Sequence, residues 1–216
     1  SDGATLDDLI NRTIATAREK GYSLQQLRAR VRERLLAEAP DHLLVIEQDP
    51  GLRDLIREEL HSAGKWNIEG CSGEDLESNP GLAIGALAVT PQHALRFVSL
   101  LFPKERPVVP VRYSPADEHL KLIGGLRKPS VIAVVSSSRV FLDVARGILA
   151  PGLRSRHALR EVCLQDEDFG AIHAADLIFC DSIARKGIRS AKVIHYPLVS
   201  AESVAYVKTA MESYRA

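Results

Sequence analysis

Three consecutive serines, Ser136, Ser137 and Ser138, stand where the apolar run VIAVV (131–135) gives way to a helical pattern that begins at Arg139. Hydroxyls beside the free N–H groups of a helix start suit a carboxylate, a phosphate or a sugar hydroxyl, because the donors and the helix dipole favour an oxygen-rich guest. Other polar residues end apolar runs in the same way: Gln48 after LLVIE, Thr90 after LAIGALAV, Arg112 in PVVPVRY, and Asp181 with Ser182 after DLIFC. Arg112 adds a forked donor matched to a carboxylate or phosphate. Gln48, Thr90, Arg112, Ser136, Ser137, Ser138, Asp181 and Ser182 are therefore the candidate ligand-binding residues. Each has a structural alternative. One serine of the triplet caps a helix, Thr90 and Asp181 cap the helices that follow them, and Arg112 joins an ion pair.

What must position these residues is an alternation of short apolar runs and amphipathic stretches. From residue 41 the order is LLVIE (43–47), the helix DPGLRDLIREELHSAG with Asp49 as cap and Pro50 at its first position, a strand near 66–71, LAIGALAVT (82–90), the helix PQHALRFVSLLF and PVVPVRY (107–113). The grammar repeats as VIAVVS (131–136), SRVFLDVARGIL, HALREVCL (157–164), a short helix near DFGAIHAA, DLIFCD (176–181), SIARKGI, AKVIHYPLV (191–199) and a last helix over 201–214. Apolar runs joined by helices predict an α/β protein with mostly parallel sheets. Two similar lobes flanked by helices are expected, the first from residues 41–114 plus 200–216 and the second from 115–199, with Gly124 and Gly125 as the hinge. Ligands bind open parallel sheets at the carboxyl ends of the strands, so the candidate residues would line one polar cleft between facing lobes.

Ahead of the lobes, residues 1–40 read as an α-helical hairpin. Leu6, Leu9, Ile10, Ile14 and Ala17 recur at helical spacing behind a possible Thr5–Asp8 capping box, and Gly21 ends the helix. Ser23 and Gln26 repeat the signature before the stripe Leu24, Leu27, Val31 and Leu35. With one apolar seam and many arginines the pair cannot be a domain alone; it needs the lobes or a second copy to pack on.

Composition narrows the function classes. The chain has 216 residues, 45% of them apolar, enough for a sizeable core, and its 28 basic residues balance 28 acidic ones, so no overall bias marks a nucleic-acid or membrane surface. No run approaches a membrane span and no signal peptide opens the chain, which points to the cytoplasm. Cys71, Cys163 and Cys180 suit free thiols, and the scattered histidines show no ligand spacing, so neither metal nor cofactor is expected. Met211 is the only methionine, so the chain reads as a segment of a longer polypeptide.

Several chemistries find part of their apparatus and lack the rest. LLVIEQDPGLRDLIREEL resembles the opening of a response-regulator receiver, but the place of its phosphoacceptor aspartate holds Thr90. The paired lobes resemble cofactor-independent aspartate/glutamate racemases, which use one cysteine per lobe; Cys180 could be one, yet its counterpart also falls near Thr90. GxxxxGK[ST], GxGxxG and GxSxG are absent, and the serine triplet lacks a His and Asp partner order. No catalytic residue is assigned and no enzymatic activity is expected.

TLDDLINRTIATAREKGYSLQQLRARVRERL (5–35) is similar to the linker hairpin of GntR-type bacterial transcription regulators of the YtrA-like kind. There a helix, a G-(Y/L)-S-x-x-x-L turn and a second helix follow a winged helix. The two-lobed remainder resembles a small periplasmic-binding-protein-like effector domain. The resemblance implies a homodimer through the hairpin, a small polar or anionic effector between the lobes, and DNA contact only through a domain that these residues do not contain.

Overall fold

The computed structural model describes residues 4–104, 106–166 and 170–214. The expected start of the short helix, Asp168 and Phe169, and the chain ends, residues 1–3 and 215–216, lie outside them.

Two helices lead. Helix α1 (Leu6–Glu19) and helix α2 (Leu24–Ala37) each start on a capping box, Thr5 with Asp8 and Ser23 with Gln26, where side chains and N–H groups satisfy one another reciprocally. Gly21, at φ 81°, turns the chain between them in a left-handed conformation that suits glycine. Of the two helices only Ala17 is buried; Leu6, Leu9, Ile10, Leu24, Val31 and Leu35 stand exposed. The end of α2 is fixed to the body by buried Arg106, whose guanidinium donates to the carbonyls of Leu36 (2.9 Å), Ala86 (3.1 Å) and Glu38.

Two four-stranded parallel sheets follow. The first holds β1 (His42–Ile46), β2 (Ile68–Cys71), β3 (Ala86–Pro91) and β4 (Val109–Val111) in the order β2-β1-β3-β4. The second holds β5 (Val131–Ser136), β6 (Ala158–Cys163), β7 (Leu177–Cys180) and β8 (Val193–His195) in the matching order β6-β5-β7-β8. Helices α3 (Pro50–Gly64), α4 (Gly73–Ser78) and α5 (Leu95–Leu101) serve the first sheet. The second has α6 (Asp117–Gly124), α7 (Arg139–Leu153), α8 (Gly170–His173) and α9 (Ala184–Gly187), and α10 (Ala201–Ser213) returns to pack on β4 and α3. The chain is thus α/β, with two lobes of parallel sheet behind a helical pair.

Strand side chains alternate between faces, so each sheet buries two sets of residues in different company. Leu43 and Val45 of β1 share one core with Ile132 and Val134 of β5, joined by Ile56 and Leu60 of α3, Phe141 and Leu149 of α7, and Val207 and Met211 of α10. Leu44 and Ile46 pack instead with Leu76 of α4 and Val98 of α5, and Ala133 and Val135 with Ile172 of α8 and Ala184 of α9. The lobes meet through a shared helical layer, where trimming a fully buried leucine such as Leu60 to alanine costs about 2–5 kcal/mol.

The chain crosses between lobes twice, and the crossings run side by side in opposite directions. Tyr113 bridges Val199, the Ser114 N–H donates to the Leu198 carbonyl (2.8 Å), and the Ser200 N–H donates to the Arg112 carbonyl (2.9 Å). This corrects the expected hinge at Gly124 and Gly125. That glycine pair stops α6, which packs on α7 within the second lobe, so it acts as a helix terminator and not as the passage between lobes.

Candidate functional site

The serine triplet closes a network around a carboxylate supplied by the protein itself. Asp181, fully buried, accepts at Oδ2 from the hydroxyls of Ser136 (2.6 Å) and Ser137 (3.2 Å) and from the Ser137 N–H (2.7 Å). Its Oδ1 accepts the N–H groups of Ile183 (2.9 Å) and Ala184 (2.6 Å). Ser136 Oγ also accepts the Ser138 N–H (2.9 Å). The oxygen-rich anion that three serines at a helix start call for is therefore internal.

Ser138 caps α7, accepting the Phe141 N–H at 3.1 Å, and donates to Asp49 Oδ1 (3.0 Å), which caps α3 by accepting the Leu52 N–H (2.7 Å). Two helix N-termini, one from each lobe, thus share the negative charge of Asp49. Gly51 lies so close that an added Cβ would come within 2.8 Å of Ser138 Cβ. The expected open cleft is closed at this point. Burial, helped by Glu47 and Asp49, pushes the Tyr113 phenol up to about 12.

The remaining candidates separate. Thr90, fully buried, donates its hydroxyl to the Ile46 carbonyl (2.9 Å); it ties β3 to β1 and does not cap the following turn, which starts at Pro91 without a side-chain cap. Gln48 is exposed and reaches Glu74 at 3.4 Å. Arg112 sits in the outgoing crossing, its N–H donating to Ser203 Oγ (2.9 Å) while its guanidinium takes no partner among the described residues. The Asp181 network brings Ser136 and Ser137 together; Ser182 faces elsewhere.

Ser182 opens onto a cavity of about 540 Å³ where the lobes meet, walled by α3 on one side and by the ends of β7 and β8 and the start of α10 on the other. Glu59 of α3 reaches into it from the first lobe. Its carboxylate accepts from Ser182 Oγ (2.5 Å), from the Leu198 N–H (2.8 Å) and from the Val199 N–H (2.7 Å), the last two on the returning crossing. Burial raises the Glu59 pKa above its ordinary value, and the three donors pull it back. His195 Nε2 lies 2.8 Å from Ser182 Oγ. With the serine proton given to the Glu59 carboxylate, that contact is one in which Nε2 of the ring donates to Ser182 Oγ. Burial, then nearby Arg185, lowers the His195 pKa and favours the neutral ring.

Around this polar row the cavity is mixed. Glu58 and Lys186 neutralise each other at 2.6 Å, Arg185 takes no carboxylate among the described residues, and Ala63, Pro197, Val199, Ala201 and Val204 give an apolar wall. Such a site fits a small molecule with a few hydrogen-bonding groups and an apolar body. Thiol chemistry fits less well. Cys180 is fully buried and its thiol is pushed up to about 12, chiefly by burial, so it stays protonated in the core.

Glu59, His195 and Arg185 were not among the residues picked from the sequence. Glu59 could have been: Leu52, Leu55, Ile56 and Leu60 form the buried stripe of α3, and position 59 falls on that stripe, three residues from Ile56 and four from Leu55. A carboxylate on an apolar stripe needs partners. His195 carried no such signal, since its partners are set by how the lobes pack.

No family model, curated protein or solved structure matches the chain. Among the described residues no cluster of three or more His, Cys, Asp or Glu is placed to hold a metal ion, and no helix is long and apolar enough to cross a membrane.

Proposed function

We propose that this chain is the effector-binding and dimerisation region of a cytoplasmic one-component transcription regulator, and that it senses a small polar or anionic metabolite in the interlobe cavity. The observation that carries the reading is the placement of Glu59: a carboxylate of the first lobe holds both the hinge crossing at Leu198 and Val199 and the Ser182 hydroxyl at the cavity wall. An effector that hydrogen-bonds to Ser182 or His195 competes with this latch and shifts the balance between lobe arrangements by its differential affinity for them.

The hairpin supports the second half of the proposal. Its exposed apolar seam, Leu6, Leu9, Ile10, Leu24, Val31 and Leu35, is what a helical pair needs to pair with its copy, and its sequence is similar to a linker that serves that purpose. In this reading the homodimer carries the signal, and DNA is touched only by a winged helix encoded outside residues 1–216.

Thermal stabilisation by a metabolite library tests the cavity, with wild type and Ser182→Ala run side by side. A hit that stabilises wild type and loses most of its shift in Ser182→Ala is the expected result; a hit whose shift is the same in both removes this cavity from the site. Light scattering tests the dimer: wild type should be dimeric and Leu9→Asp with Ile10→Asp monomeric, and a monomeric wild type sinks that half of the proposal.

A further inference from the structure

Between Glu118 and Glu161 the only acidic residue is Asp143, against eight lysines and arginines. Three of the eight find carboxylates: Lys121 with Glu118, Arg139 with Asp166, and Arg146 with Asp143 and Glu161. Arg127, Lys128, Arg154, Arg156 and Arg160 pair with none among the described residues. In a chain with 28 charges of each sign this is a local excess of cations over carboxylates.

The fold gathers it. Strands β5 and β6 pair from their first residues, with the Ala158 N–H donating to the Ser130 carbonyl at 3.0 Å, so the segments leading into them lie side by side. The Arg156 guanidinium donates to the Arg127 carbonyl and fixes one segment to the other. Arg154 and Ser155 turn the chain at φ 46° and 56°, two non-glycine residues in the left-handed region, a conformation kept where its surroundings impose it. Helices α6 and α7 both end here and their C-terminal dipoles favour nearby cations, Arg154 at the α7 cap first, so they offset part of the gathered charge; Arg156 lies beyond the last turn of α7.

Here the surface is hollow. A cavity of about 340 Å³ has Arg154, Arg156 and His157 on its lining, with Leu120, Pro151 and two glycines, Gly124 and Gly152, and no carboxylate. We propose that this concavity, at the amino end of the second sheet, binds a small phosphate-bearing molecule, with Arg154 and Arg156 holding the phosphate. Forked guanidinium donors match phosphate oxygens, and an anion relieves the repulsion among the gathered cations. A hollow of this size favours a compact ester over the backbone of a nucleic acid, which needs an extended charged track. The site is separate from the interlobe cavity and independent of its role.

Calorimetric titration of the full chain with inorganic pyrophosphate and with ribose 5-phosphate, at constant ionic strength, tests this. Saturable binding of both is expected, weakened about tenfold or more in Arg154→Gln with Arg156→Gln. Should loss of the Arg156 contact unfold that variant, Arg154→Gln alone takes its place. A Cβ at Gly124 meets nothing within 4 Å, so Gly124→Leu grows into open space at the cavity and should weaken ribose 5-phosphate. Ser182→Ala should change neither titration. The proposal is overturned by absence of saturation at millimolar ligand, by equal binding in the charge-deleted variants, by a loss in Ser182→Ala matching theirs, or by duplex DNA displacing pyrophosphate at far lower concentration.

Discussion

Asp181 and Glu59 are both carboxylates at the junction of the lobes, each gathering donors from more than one element, yet they do different work. Asp181 is fully buried and takes five contacts. Glu59 takes three, and its serine partner and the neighbouring His195 border a hollow. A polar cluster that satisfies itself is scaffold, whereas one whose members, such as Ser182 and His195, line a cavity is available to a guest. The count of donors distinguishes the two better than residue type does.

Removing Asp181 should do the most harm. Asp181→Ala leaves two serine hydroxyls and three N–H groups without their acceptor, and a loss of about 3 kcal/mol or more is expected from urea unfolding. A loss under about 1 kcal/mol would mean that water replaces the carboxylate and the cluster is not scaffold. Next come the paired caps. Asp49→Ala and Ser138→Ala should each cost about 1–2 kcal/mol, and the double variant should show a coupling of about 0.5–1 kcal/mol, because the Asp49–Ser138 bond is lost only once. Strict additivity would show that the two helix starts do not support each other.

Glu59→Gln sharpens the contrast through its pH dependence. A carboxyl whose folded pKa is raised binds its proton more tightly in the native chain, so its contribution is present below its ordinary value of 4.5 and is lost as pH rises through the folded pKa. Relative to Glu59→Gln, wild type should therefore lose stability as the pH climbs above 4.5; a parallel pair of stability curves contradicts the raised pKa. His195 runs the other way. Its folded pKa is lowered, so stability is complete above 6.5 and is lost as pH falls through the folded value. His195→Gln should flatten that acid-side decline, read from melting temperatures across the range. The smallest effect is expected for Ser137→Ala, within about 0.5 kcal/mol, since its hydroxyl makes the longest of the Asp181 contacts and its N–H remains.

Much of the fold was legible because its signals are local. Capping residues at Thr5, Ser23 and Asp49, and the serine triplet of which Ser138 is the cap, mark helix starts that the structure confirms, and the apolar runs at 43–47 and 131–136 become central strands of their sheets. The strand expected over 191–199 is shorter, β8 covering Val193–His195, because its last residues turn away as the hinge crossing. That turn depends on pairing with residues 112–114, far away in sequence, and no periodicity announces it. The site was less legible for the same reason. Placing polar residues at strand ends located Ser182, but the sequence does not say that α3 of the first lobe lies beside the ends of β7 and β8, nor that Asp181 occupies the place offered by the serines.

The grip of Arg106 ties the end of α2 to the start of β3. With the short covalent link from α2 into β1, this guanidinium makes the leading helices an extension of the first sheet, while the second sheet joins the first through the paired crossings at 112–114 and 198–200. If two copies pair through these helices as proposed, the first sheets are the parts nearest the pairing, and a reporter on the second lobe is the better placed to register an effector.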